Sequence, residues 1–173
     1  QQAKLVTEKI VSNKAEVVVV SPLLRAQETA RIIVDILGCP IETLDAIREM
    51  MNPPIIRGKS YDDPIASEAY EQWIRRLLVN ETYGQEDIEN FFDLSARAEK
   101  ILNTLTSRNE EKIVVVTHSV IIRAIIARAI MGDKTSPEII EHFQNHIKIQ
   151  NASVISLTVQ YVNNKIQYKI LFE

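Results

Sequence analysis

Apolar and polar positions along this chain alternate between two periods. Residues 2 to 12 place Ala3, Leu5, Val6 and Ile10 at helical spacing. Glu16 to Ser21 (EVVVVS) is an unbroken β-branched run, the pattern of a strand buried on both faces in a parallel sheet. A helix is expected directly after it, with Ser21 as cap, Pro22 in the first turn and Gly38 as the stop. Its apolar face would hold Leu23, Ala26, Ala30, Ile33, Val34 and Leu37. Periodicity then lapses. Cys39-Pro40, Pro53-Pro54, Gly58 and Asp62-Asp63-Pro64 mark residues 39 to 64 as a long excursion with one short strand at Ile41 to Thr43. Helices are predicted over 65 to 78 and from about Asp87 to Thr106, the second turning Leu94, Ala98, Ile101, Leu102 and Leu105 inward. Lys112 to Thr117 (KIVVVT) reads as a second buried-type strand and runs straight into His118-Ser119 and a helix from Val120 to Met131, closed by Gly132. The tail predicts a helix over Pro137 to Phe143, then strands at Ser153 to Val159 and Lys165 to Phe172 joined through Asn163-Asn164 as a hairpin. Strands alternating with helices imply an α/β three-layer sandwich: a mostly parallel sheet with an antiparallel edge, and helices on both faces.

Composition narrows the picture. With 46% apolar and 25% charged residues over 173 positions, the chain suits an ordinary globular fold, and one domain is the expectation. Long ordered excursions such as residues 39 to 64 tend to carry function, and residues 50 to 90 would form a lid-like excursion within the domain. Twenty Lys and Arg against 23 Asp and Glu leave a net charge of −3, with no basic block longer than Arg75-Arg76, so no footprint for a nucleic-acid backbone is present. The most apolar stretch, Val120 to Met131, contains Arg123 and Arg128 and falls short of the roughly 20 residues of a membrane span. Residues 1 to 12 lack a basic leader and an apolar h-region, and the single Cys39 fits a reducing compartment, so a cytoplasmic location is expected. The chain opens on Gln1-Gln2, already inside an amphipathic pattern.

Two junctions share one grammar of buried strand, polar residue and helix: Val20-Ser21-Pro22 and Val116-Thr117-His118-Ser119. In open α/β sheets ligands bind beyond the carboxyl ends of the strands, where helix N-termini offer N–H groups and positive dipole ends to an anion. Arg25 falls in or just after a first helical turn, where the macrodipole disfavours a cation by about 0.3 to 1 kcal/mol unless something negative is near. An anionic ligand would resolve the conflict; a solvated guanidinium, or one reaching a surface carboxylate, would resolve it too. His118 at a strand end is likewise either a hydrogen-bonded structural residue or a site residue.

Taken together these segments resemble the histidine phosphatase superfamily, the phosphoglycerate-mutase-like proteins. VVVVSPLLRAQETARII (Val17 to Ile33) resembles its S-P-x-x-R-A-x-x-T-A signature, and KIVVVTHSVIIRAIIARAIMG (Lys112 to Gly132) its second histidine strand and helix. QQAKLVTEKI resembles the helix after its first motif, and NASVISLTV (Asn151 to Val159) its late strand. The resemblance implies phosphoryl transfer on a small phosphorylated substrate in a pocket of two histidines and two arginines, with no metal and no cofactor. It places Arg25 at the second phosphate-binding arginine, His118 at the second histidine and Glu49 at the acid that protonates the leaving oxygen; a solvated loop carboxylate is the alternative for Glu49. Ser119 stands where the family has glycine, with its backbone N–H still able to face a phosphate. Residues 50 to 62 (MMNPPIIRGKSYD) depart from the G-x-x-E-G continuation, which implies a different substrate preference. No R-H-G segment, which would supply the nucleophilic histidine and the first arginine, occurs in residues 1 to 173. The chain is therefore expected to be a truncated piece of a longer protein, inactive by itself. A phospholigand-binding or regulatory module without catalysis is the alternative. Phosphatase and mutase are not separated by these motifs, and a late edge strand leaves a homodimer open.

Other constellations have ordinary readings. His142 and His146 stand at i, i+4, but the second falls at an expected strand start and no zincin glutamate follows the first, so metal binding is not expected. Asp62-Asp63 and Glu110-Glu111 read as solvated turns. With only four glycines there is no phosphate-binding loop and no dinucleotide fingerprint. Tyr70, Trp73 and Tyr83 would either line a lid or pack in the core.

Overall fold

The computed structural model describes residues 6, 9, 10, 14–60, 62–79, 88–163 and 165–172. Most of the helix expected over residues 2 to 12 lies outside them, although Val6, Lys9 and Ile10 are helical; Tyr83, Gly84 and Asp87 also lie outside. Strand β1 (Val17–Val20) is buried along its whole length, as its β-branched run requires. It pairs in parallel with β2 (Ile41–Thr43) on one side and β3 (Ile113–Val116) on the other, in the order β2-β1-β3.

Alternation along β1 separates two cores. Val17 and Val19 face a cluster with Leu94, Ile101, Ile121 and Ile140. Val18 and Val20 face Ile10, Ala26, Ala30 and Ile33. The first face is covered by α2 (Pro64–Arg76), α3 (Phe91–Thr106), α4 (Ser119–Met131) and α5 (Pro137–His146), and the second by α1 (Leu24–Leu37). A sheet between two helical layers is the expected three-layer α/β arrangement. The antiparallel element is a two-stranded sheet of its own, β4 (Ile155–Val162) with β5 (Lys165–Phe172).

Several local expectations are corrected. β3 is half-buried throughout rather than fully buried, because among the described residues it is an outer strand of the parallel sheet, paired on one side only. The helix after β1 starts at Leu24 with Leu23 as its cap position and no side-chain cap; Ser21 and Pro22 precede it, and Ser21 is wholly buried. Gly38 does end that helix, in the left-handed conformation that a Cβ would strain. Helix α3 starts at Phe91, where Asn90 and Asp93 form a reciprocal capping box. His146 closes α5 rather than opening a strand. Asp63 is the N-cap of α2, accepting from Ile65 and Ala66 N–H, and Glu110 is ion-paired to Arg108 at 2.7 Å, so neither is simply a solvated turn residue. Trp73 packs in the core, edge-on to Tyr70 with ring centroids 5.8 Å apart. No helix among the described residues is long and apolar enough to cross a membrane.

Candidate functional site

Parallel pairing sets Val20 opposite Val116, so the chain leaves β1 and β3 at the same edge of the sheet and carries Ser21 and His118 there together. The first turn of α1 adds Arg25. Across 93 positions of sequence, Arg25 Nε–H donates to His118 Nδ1 at 3.2 Å. On the other side of the ring, His118 Nε2 lies 2.8 Å from Ser21 Oγ. A guanidinium can only donate, so Nδ1 must accept, and the neutral ring carries its proton on Nε2, which donates to Ser21. The serine hydroxyl also accepts from Leu23 N–H at 3.3 Å, and Gln27 Nε2 donates to the Ser21 carbonyl at 2.8 Å and to Thr43 Oγ1 at 3.2 Å. The hydroxyl expected to cap α1 instead orients an imidazole from the neighbouring strand.

His118 is only 7% exposed. Burial, and then the charge of Arg25 beside it, push its imidazole down to about 4, so the ring is neutral at pH 7. No carboxylate pairs with Arg25 among the described residues, and α1 has no acidic residue in its first turn. Arg25 is thus an exposed cation at a helix N-terminus, bonded to a neutral ring, where the macrodipole disfavours it.

Glu49 reaches the same place from the segment after β2. Its Oε2 accepts Val120 N–H at 3.2 Å, while Oε1 accepts Ile121 N–H at 3.3 Å and Met50 N–H at 3.1 Å. The carboxylate thus sits on the first turn of α4, the helix capped by His118. Two N–H groups expected to be free for an anion are taken by Glu49, so the helix terminus is occupied from within the chain. Ser119, the first residue of α4, is half-buried next to His118. Arg25, His118, Ser119 and Glu49 are therefore gathered at one edge of the sheet.

Glu49 follows a single 3-10 turn (Asp45–Ile47), and side chains from elsewhere hold three carbonyls in a row. Arg97 Nη1 donates to the Ala46 and Arg48 carbonyls at 2.9 and 2.6 Å, and Thr117 Oγ1 donates to the Ile47 carbonyl at 2.6 Å. Sequence reasoning missed Arg97, although a signal existed: position 97 shares the inward stripe of α3 with Leu94, Ala98 and Ile101, and a charge at that phase needs a buried partner. His142 and His146 lie apart from this site on α5, with rings stacked at 4.0 Å, and no group of three potential metal ligands occurs among the described residues.

A model of the histidine phosphatase superfamily (branch 1) matches residues 1–169. No curated protein matches the chain by sequence. Among solved structures, a mycobacterial glucosyl-3-phosphoglycerate phosphatase in complex with inorganic phosphate superposes with a TM-score of 0.73 at 18% identity, over 98% of this chain and 81% of its own. The α-ribazole phosphatase of Shigella flexneri gives 0.71 at 20% identity, over 99% and 80%. YhfR of Bacillus stearothermophilus gives 0.70 at 19%, again over 99% and 80%. At these identities the likeness is one of fold.

Proposed function

The chain belongs to the histidine phosphatase superfamily, and on that premise we propose that it is the core of a metal-independent phosphohydrolase or phosphomutase acting on a small phosphorylated metabolite. One observation carries the reading: Arg25 and His118, remote in sequence, are hydrogen-bonded to each other at a sheet edge where the cation has no carboxylate partner among the described residues. A phosphoryl group needs mainly positioning and charge neutralisation, which a guanidinium fork and an imidazole N–H supply with no cofactor. Arg25 turns from Nδ1 to its oxygens, His118 holds them through a proton that Nδ1 gains beside the dianion, and the Ser119 N–H is a further donor.

In the proposed reaction a histidine outside residues 1 to 173 attacks phosphorus through a ring nitrogen. The bond from phosphorus to the leaving oxygen breaks, and the Glu49 proton passes to that oxygen to give an alcohol. Water, or in a mutase a second hydroxyl, then attacks the phosphohistidine, returns a proton to Glu49 and frees the ring. Of its two oxygens Oε2 accepts one N–H where Oε1 accepts two, so Oε2 is the one with the freer lone pair to face the leaving oxygen. Residues 50 to 90 serve as the excursion that selects the substrate. The names of the structural relatives, phosphatases of glucosyl-3-phosphoglycerate and α-ribazole, support a small phosphorylated metabolite. A lone Cys39 is in keeping with a cytoplasmic enzyme.

The test is hydrolysis of p-nitrophenyl phosphate by the full-length protein in excess EDTA. Turnover is expected to persist and to collapse in His118→Ala; strict metal dependence, or unchanged turnover in that variant, rejects the mechanism. Phosphate binding that is lost in Arg25→Ala, in a protein with no turnover, would instead identify a binding module.

A further inference from the structure

We propose that Arg97 is a positioning residue for the reaction, setting where the Glu49 carboxylate stands by holding the peptide that carries it. The proposal rests on the assignment of Glu49 as proton donor. The Arg48 carbonyl gripped by Arg97 Nη1 belongs to the peptide unit whose N–H is that of Glu49, so the guanidinium grips the backbone at the root of the acid. The same nitrogen holds the Ala46 carbonyl, and Thr117 holds the carbonyl between them.

The rest of the guanidinium is fixed from behind. Nε donates to Glu89 Oε1 at 2.6 Å and Nη2 donates to Glu89 Oε2, a bidentate fork in which the two side chains are only 11% and 13% exposed. Glu89 neutralises the buried charge and locks the guanidinium plane, leaving Nη1 pointed at neutral carbonyls. Helix α3, which carries Arg97, packs against α4, whose first turn receives the Glu49 carboxylate. The acid is therefore held at both ends by two packed helices: its backbone by α3 and its carboxylate by α4. An ion pair serving stability alone would not require the third and fourth hydrogen bonds, both spent on the Glu49 segment.

Lysine at position 97 can keep the charge opposite Glu89 but cannot span two carboxylate oxygens and two carbonyls at once. The experiment compares the first turnover, before water attacks the phosphohistidine, and KM of wild type, Glu49→Gln and Arg97→Lys in the full-length protein on two substrates. p-Nitrophenyl phosphate has a leaving group that departs without protonation, whereas benzyl phosphate releases an alkoxide that needs the proton as the P–O bond breaks. Arg97→Lys is expected to lower the first-turnover release of benzyl alcohol roughly a hundredfold, as does Glu49→Gln, while its first-turnover release of p-nitrophenol and its KM change less than about threefold. Equal losses on both substrates would assign Arg97 to stability alone and overturn the proposal. If Glu49→Gln shows the leaving-group signature and Arg97→Lys does not, the positioning role fails while the acid assignment stands. If wild type hydrolyses neither substrate, or Glu49→Gln lacks the signature, the functional reading falls and takes this proposal with it. Should Arg97→Lys fail to fold, the neutral pair Arg97→Gln/Glu89→Gln carries the same comparison.

Discussion

Neutralising acid through His118 gives a stability effect whose size follows from its surroundings. The ring is pushed down from an ordinary 6.5 to about 4 by burial and then by Arg25. Its folded pKa lies below the unfolded one, so between the two values the unfolded chain binds more protons. The contribution of the neutral ring is therefore complete above pH 6.5 and is lost as pH falls through 4. At about 1.4 kcal/mol per unit, the loss reaches about 2 kcal/mol at pH 5 and about 3 kcal/mol at pH 4. Carboxylates also respond over this range, so the ring is isolated by comparison with His118→Gln, which cannot titrate. Urea unfolding of both proteins at pH 4, 5, 6 and 7 measures the difference. The variant should be the less stable at pH 7, where it loses bonds to Arg25 and Ser21, and the gap should narrow by about 3 kcal/mol on reaching pH 4. A gap constant to within about 0.5 kcal/mol across the series, near the precision of extrapolation, would refute the argument. So would a His118 ring resonance titrating near 6.5.

Replacing Arg25 by Met removes the like charge next to His118 and should raise the ring's pKa only part of the way, because burial is the larger cause; proton NMR of the ring measures it. The same variant should weaken phosphate binding roughly tenfold to a hundredfold by calorimetry, the worth of a charge-assisted hydrogen bond. Asn90→Ala removes the acceptor for Phe92 and Asp93 N–H and should cost about 1 kcal/mol in urea unfolding without altering phosphate affinity. Leu94→Ala, at a wholly buried position of α3, should cost about 2 to 5 kcal/mol in the same assay.

The parts of the fold written in the sequence are those decided within a few residues. Four consecutive valines specify a strand with both faces covered, and the spacing of Ala26, Ala30 and Ile33 specifies which side of α1 meets it. Gly38 ends that helix because the stop needs a positive φ, and the tail pairs as a hairpin because two apolar runs flank a short turn. Of the site, Arg25 and His118 were legible because each follows a buried strand at a helix start, and chain order with parallel pairing forces those ends to one edge.

Tertiary structure alone settled the rest. Whether Ser21 caps its own helix or bonds a ring from β3 turns on what lies across the sheet, and the neighbouring imidazole takes the hydroxyl. The proton on His118 Nε2 is dictated by a guanidinium from another helix, and the ring's neutrality by burial, neither visible in a string of residue types. Glu49 had no local signature, since a single 3-10 turn gains its position only from the groups that hold its carbonyls. Arg97 and Thr117 are those groups, and they lie remote from residues 46 to 48 in sequence. Short-range periodicity follows from backbone geometry and is carried by neighbours along the chain. Hydrogen bonds between distant polar groups depend on how the layers pack, and only the folded chain brings their partners within reach.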